Sequence, residues 1–195
     1  MALDQQNDSS KLLLYAVNTL LKTIGERPIA DDVELADVLE AQLAYSAIIE
    51  TKKEVLSEGW NFNKDKGVEF PPTSDGYIAI PDNVLDISSV DSNLIMRDWR
   101  LYSRKDNSAK FTEPQTVDVI WDLDFNSLTH PIRNYITKRS ARLFLAQQAM
   151  DTNVFGFTQN DVEEAHIIAR RSDGFTGRYN MLNSQYGLDH IVGGL

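Results

Sequence analysis

The 195-residue chain has no cysteine. That removes disulfides, thiolate metal sites and cysteine nucleophiles together. Histidine is nearly as scarce, with His130, His166 and His190 as the whole set. No second histidine stands at the spacing of a zinc-protease helix, and neither a phosphate-binding glycine loop nor a Gly-x-Ser-x-Gly elbow occurs. Long apolar runs are missing as well. The first, residues 12–17, is six residues long, whereas a membrane-spanning helix needs about 20. The first ten residues are polar and lack a basic segment, so no signal peptide is expected and synthesis in a cytoplasm is.

Acidic residues are abundant: 29 Asp and Glu against 19 Lys and Arg give a net charge of −10. The excess lies in the first two thirds, with −6 over residues 1–60, −5 over 61–130 and +1 over 131–195. A protein that coats nucleic acid or an anionic membrane would show a basic face instead. A hydrophobic content of 42% is ordinary for a globular chain of this size.

Hydrophobic period divides the chain into helix, helix, β, helix, helix and tail. Residues 11–24 carry Leu13, Ala16, Val17, Leu20, Leu21 and Ile24 on one helical stripe, with Ser9 or Ser10 as cap and Gly25 as stop. A second helix is predicted over 33–57, capped by Asp31 or Asp32. Its inward face would be Leu35, Val38, Tyr45, Ile49 and Leu56, with Leu39 and Ile48 beside it. Residues 60–128 hold short apolar runs broken by Pro, Gly, Asn and Asp. Strands are predicted at 60–63, 67–70, 77–80, 85–90, 94–96, 100–103 and 117–121. A third helix over 131–150 would bury Ile132, Tyr135, Ile136, Leu143, Ala146 and Met150, with Thr129 or His130 as cap. A fourth, capped by Thr158 or Asn160, would run to Arg171, bury Val162, Ala165, His166 and Ala169, and stop at Gly174. The expected fold is α+β: an antiparallel four-helix bundle (1–59 and 129–174), a small antiparallel β domain inserted at 60–128, and an extended tail at 175–195.

Candidates for chemistry are sparse. Asp122 and Asp124 stand two apart in "WDLDF", the spacing that shares one face of an extended chain, and Trp60, Trp99 and Trp121 have the character of a sugar-stacking groove. Together they define the alternative reading, a carbohydrate hydrolase with paired carboxylates. Against it stand the ordinary roles of such residues, turns for the acids and core for the tryptophans. Two basic clusters interrupt the acidic background: Arg97, Arg100, Arg104 and Lys105 in a strand–turn region, and Lys138, Arg139 and Arg142 on a helix. Arginine is enriched at protein interfaces for its planar, multi-donor head. These clusters are therefore candidates for contacts between subunits or with partner proteins, phosphate contact being the alternative.

Six segments, in order, resemble the tail tubular protein A family of T7-like short-tailed bacteriophages: "LLKTIGERPIA", "EVLSEGWNFN", "GYIAIPDNVLDI", "WRLYSRKDNSAKF", "VDVIWDLDF" running into "IRNYITKRSARLF", and "GRYNMLN". They span residues 12–183. The resemblance implies a virion structural protein rather than an enzyme, with no catalytic, cofactor or metal residues to carry over. It implies a homo-dodecameric ring, the head-to-tail adaptor, joining the portal protein to the nozzle built from tail tubular protein B. It also implies that the ring helps dock tail fibres and that double-stranded DNA passes its lumen without specific binding; no membrane is involved. On this reading Phe175, Tyr179, Met181, Leu182 and Tyr186 are candidates for docking onto the portal, and Arg97, Arg100, Arg104, Lys138, Arg139 and Arg142 for contacts with neighbouring subunits, nozzle or fibres. Another oligomeric scaffold or head-completion protein on a similar bundle is the third reading.

Overall fold

The computed structural model describes residues 3–89, 93–148 and 157–183, with side chains over 11–89, 93–148 and 157–175. Among the described residues, five α-helices and five short antiparallel strands make an α+β protein. The residues fall into two compact units, one drawn from Met1–Lys52 and Asp124–Leu195, the other from Lys53–Leu123.

In the first unit, α1 (Leu3–Thr23) buries Ala16, Val17, Leu20 and Leu21, the stripe read from its period. It starts earlier than expected. Ser9 and Ser10 lie inside it, since residues 3–10 contain neither Pro nor Gly to prevent extension. It ends in a Schellman turn: Gly25, at φ 78°, donates its N–H to the Lys22 carbonyl, and Glu26 donates to that of Leu21. The "IGERP" turn is then tied back by Asn18, whose side chain accepts from the Ile29 N–H at 2.8 Å and donates to the Ile29 carbonyl at 2.9 Å.

The expected second helix is two. The short α2 (Asp32–Asp37) is capped by Asp31, which accepts from the N–H groups of Val33 and Glu34. Val38 is extended (φ −105°, ψ 115°), and α3 (Leu39–Ser57) begins after it. That break resets the helical phase. The buried face of α3 is made of Ala41, Ala44, Ala47, Ile48, Thr51, Val55 and Leu56, while Leu39, Leu43 and Tyr45 are exposed. The predicted face of Leu35, Val38, Tyr45 and Ile49 is therefore corrected to one of mainly small residues, which permit close helix approach. A 3₁₀ turn (Phe125–Ser127) leads to α4 (His130–Gln147), with Thr129 at its N-cap and Pro131 in its first turn. Ile132, Tyr135 and Ile136 are buried as expected; further on, Ser140, Ala141, Phe144 and Leu145 take the inward positions and Leu143 and Ala146 are exposed. Met150 lies outside the described residues. Finally α5 (Gln159–Asn183) buries Val162, Ala165 and Ala169.

Gly174 does not stop α5, which runs through it to Asn183. Glycine lowers helix propensity by about 1 kcal/mol but ends a helix only by adopting a left-handed conformation, which Gly174 does not. The start of α5 is closed by a reciprocal pair. Thr158 donates its N–H and its hydroxyl to the Asp161 carboxylate, at 2.8 and 2.6 Å, and its oxygen accepts from the Asp161 N–H.

The second unit holds a three-stranded antiparallel sheet in the order β1–β5–β2, from β1 (Lys64–Phe70), β2 (Val84–Ser88) and β5 (Gln115–Trp121). A hairpin of β3 (Leu94–Arg97) and β4 (Arg100–Ser103) completes it. Its core is Ile78, Ile80, Val84, Ile87, Leu101, Val117 and Val119. Residues 77–80, predicted as a strand, make only isolated bridges, Tyr77 to Lys110 and Ala79 to Arg100.

Residues 60–63 are a turn rather than a strand, and the turn explains "GWNFN". Gly59 takes φ 70° at the end of α3 and donates to the Leu56 carbonyl. The fully buried Trp60 turns its indole N–H onto the Val55 carbonyl at 2.6 Å, in the last turn of α3, where that carbonyl also accepts from the Glu58 N–H. Asn63, itself buried, accepts from the Trp60 N–H and donates to the carbonyls of Leu56 and Trp121.

Candidate interaction surfaces

The hairpin displays the first basic cluster. Arg97 and Arg100 face each other across β3 and β4, joined by a two-residue turn in which Asp98 and Trp99 both have positive φ, 51° and 57°. That is type I′ geometry, which matches the twist of the strands and normally takes Asn-Gly or Asp-Gly. Here tryptophan occupies the glycine position and is 55% exposed. Each arginine stacks on a tyrosine: Arg97 lies 4.0 Å from the Tyr102 ring centre and Arg100 4.5 Å from that of Tyr77, with Lys110 beyond Tyr77 at 5.4 Å. Stacking holds two like charges side by side without burying either. Arg104 and Lys105 follow in an exposed turn. The result is a rigid tip of arginine and aromatic residues.

The α4 cluster is divided. Lys138 lies over Phe157, 5.5 Å from its ring centre, and lines a cavity of about 500 Å³ with Tyr15, Phe125, His130 and Arg133. Arg133 is turned onto the Leu128 carbonyl. Arg139 and Arg142 line a different cavity of about 280 Å³, where Arg139 donates to the Tyr135 hydroxyl and His166 stacks on the Tyr135 ring at 4.8 Å. A third cavity of about 350 Å³ is lined by Leu13, Leu14, Asp32, Leu35, Tyr45 and Asn126.

Among the docking candidates, Phe175 is 65% exposed on α5. Tyr179, Met181 and Leu182 fall within the helix rather than in an extended tail, and Tyr186 lies outside the described residues. Ile167 and Ile168 are also exposed on α5.

Of the acids and tryptophans of the hydrolase reading, Asp124, Trp60 and Trp121 have structural roles. Asp124 caps the 3₁₀ turn, accepting from the Asn126 N–H at 2.8 Å. Asp122 donates its own N–H to the Asn83 carbonyl. Trp60 is fully buried, and Trp121 donates its indole N–H to Asp65 at 2.8 Å. Only Trp99 of the three stands in solvent. His130 opens α4, His166 is taken up by Tyr135, and His190 lies outside the described residues. Among the described residues no helix is long and apolar enough to cross a membrane. Sequence reasoning named Trp99 only as a groove or core residue. Its signal was the pair Asp98-Trp99 between two four-residue apolar-basic runs, a hairpin turn with the wrong second residue.

A chain whose helical segments precede and follow a β unit, with exposed arginine–aromatic surfaces, has the marks of an assembly component. The chain belongs to the tail tubular protein family, whose model matches residues 14–179. It is therefore a structural protein of the bacteriophage tail and a component of the virion. It is similar to tail tubular protein A of Klebsiella phage KP34, with 31% identity over 163 residues, 80% of this chain and 84% of that protein.

Proposed function

We propose that the protein is the head-to-tail adaptor of a short-tailed phage: a homo-dodecameric ring that joins the portal to the tail nozzle formed by tail tubular protein B, surrounds the DNA exit channel and helps seat the tail fibres. The family match over most of the chain carries this reading, and the surfaces described above support it. On this reading the helical residues 1–59 and 129–174 form a four-helix bundle carrying the β domain 60–128, and 175–195 dock on the portal through Phe175, Tyr179, Met181, Leu182 and Tyr186. Arg97, Arg100, Arg104, Lys138, Arg139 and Arg142 serve contacts between subunits or with nozzle and fibres. A closed ring needs two unlike faces on each subunit, and the uneven charge along the chain supplies a basis for them. An acidic lumen would let DNA slide without being held. The test is the mass of the complex formed with the cognate portal. Twelve copies per portal ring are expected; no binding to a well-formed portal would overturn the adaptor role.

A further inference from the structure

Trp99 is held in a costly place. A non-glycine residue at φ 57° in a two-residue turn gives up stability that Asp-Gly would keep, and its indole, 55% exposed, gains little burial in return. Arg97 and Arg100 flank it in fixed, tyrosine-stacked positions. Tryptophan and arginine are the residues that dominate binding energy when they enter a pocket.

The first unit offers three cavities, and charge separates them. The cavity around Lys138 with Arg133 has no acidic residue in its lining, and the one around Arg139 and Arg142 has a single acid, Glu163, so basic groups predominate in both and oppose an incoming pair of arginines. The third is lined by Leu13, Leu14, Leu35 and Tyr45 together with Asp32 and Asn126, and holds no basic residue. It includes residues of α2, which buries none of its residues and carries Asp32, Glu34 and Asp37 after the Asp31 cap; Glu34 is already paired with Arg27 at 3.9 Å, leaving Asp32 and Asp37 as its other carboxylates. Val33 on α2 and Leu39 at the start of α3 are 69% and 63% exposed. A cavity lined by leucine, tyrosine and one aspartate is thus matched in charge and character by an aromatic knob with basic flanks, both carried by one chain.

We propose that Trp99 of one copy seats in the Leu13, Leu14, Leu35 and Tyr45 cavity of a second copy, with Arg97 and Arg100 against the carboxylates of α2. Knob and hole are different surfaces, so the contact is heterologous and repeats from copy to copy. The inference rests on the ring reading, of which it names the contact.

The test replaces Trp99 by the photoreactive aromatic p-benzoylphenylalanine and irradiates the full chain, alone and assembled with its portal. A crosslink joining two copies, with mass spectrometry placing it on the peptides holding Leu13 and Leu14 or Leu35 and Tyr45, is the expected result. In parallel, Trp99→Gly keeps the turn and raises the melting temperature, yet weakens association between copies about thirtyfold or more. Asp32→Lys, at an exposed position, weakens it in the same sense. Wild-type rings that form while the crosslink falls elsewhere, or within one chain, overturn this contact and leave the ring reading standing. Failure of the wild type to assemble under either condition overturns both.

Discussion

Asn63 joins three pieces of backbone through one carboxamide: the N–H of Trp60 and the carbonyls of Leu56 and Trp121. It is 1% exposed, so water cannot replace those bonds when they are lost. Truncating one partner of a buried hydrogen bond costs the desolvation of the group left behind, about 1–3 kcal/mol. Asn63→Ala should therefore destabilise the protein by about 2–3 kcal/mol in urea unfolding. A loss below about 0.5 kcal/mol would show that the turn is held by Trp60 alone. The same residue marks where local reading stops. Gly25, Asp31 and Thr158 were legible because a cap and its partners lie within a few positions. Asn63 reads as an ordinary turn residue because one of its partners, Trp121, lies 58 residues away. Trp99 was illegible for another reason: its role follows from a positive φ that its residue type argues against.

At the scale of the element, legibility followed continuity of phase. The faces of α1 and α5 could be read because the period runs unbroken through their buried residues. That of α3 could not, because one extended residue at Val38 rotates everything after it. The start of α5 also carries a pH dependence. Hydrogen bonds from the Thr158 hydroxyl and N–H favour the ionised Asp161 and lower its pKa below the ordinary aspartate value of about 3.9, with a lesser contribution from Lys138. A carboxyl whose folded pKa is depressed stabilises the fold above the unfolded pKa, and the contribution is lost as pH falls through the folded value. Amide exchange in the first turn of α5 should thus be slow at neutral pH and accelerate, relative to the middle of α4, as pH drops below about 4. Asp161→Asn should remove that dependence. Protection unchanged by acid in the wild type would mean that the cap does not hold the turn.

For the whole molecule, composition and charge excluded more than they assigned, and the ordered segments from "LLKTIGERPIA" to "GRYNMLN" supplied the family that the match over residues 14–179 establishes. The end of α5 is where that family reading and the physics of the element meet. Its inward face runs from Val162 through Ala165 and Ala169 to Asp173, the last buried residue described on it. Beyond it the helix continues for more than two turns with Phe175 largely in solvent. That extension carries Phe175, Tyr179, Met181 and Leu182, apolar residues that a partner could cover. Persistence past Gly174 therefore suits a segment that becomes covered in the assembled particle. Deleting residues 175–195 removes none of the described buried positions of α5, so thermal unfolding should stay within a few degrees of the full chain. Binding to the portal, read by co-sedimentation, should be lost. A shortened chain that is folded and still binds the portal with full stoichiometry would move the docking surface elsewhere, to the helical faces bearing Ile167 and Ile168 or to the hairpin. A shortened chain that unfolds would show that the segment completes the bundle instead.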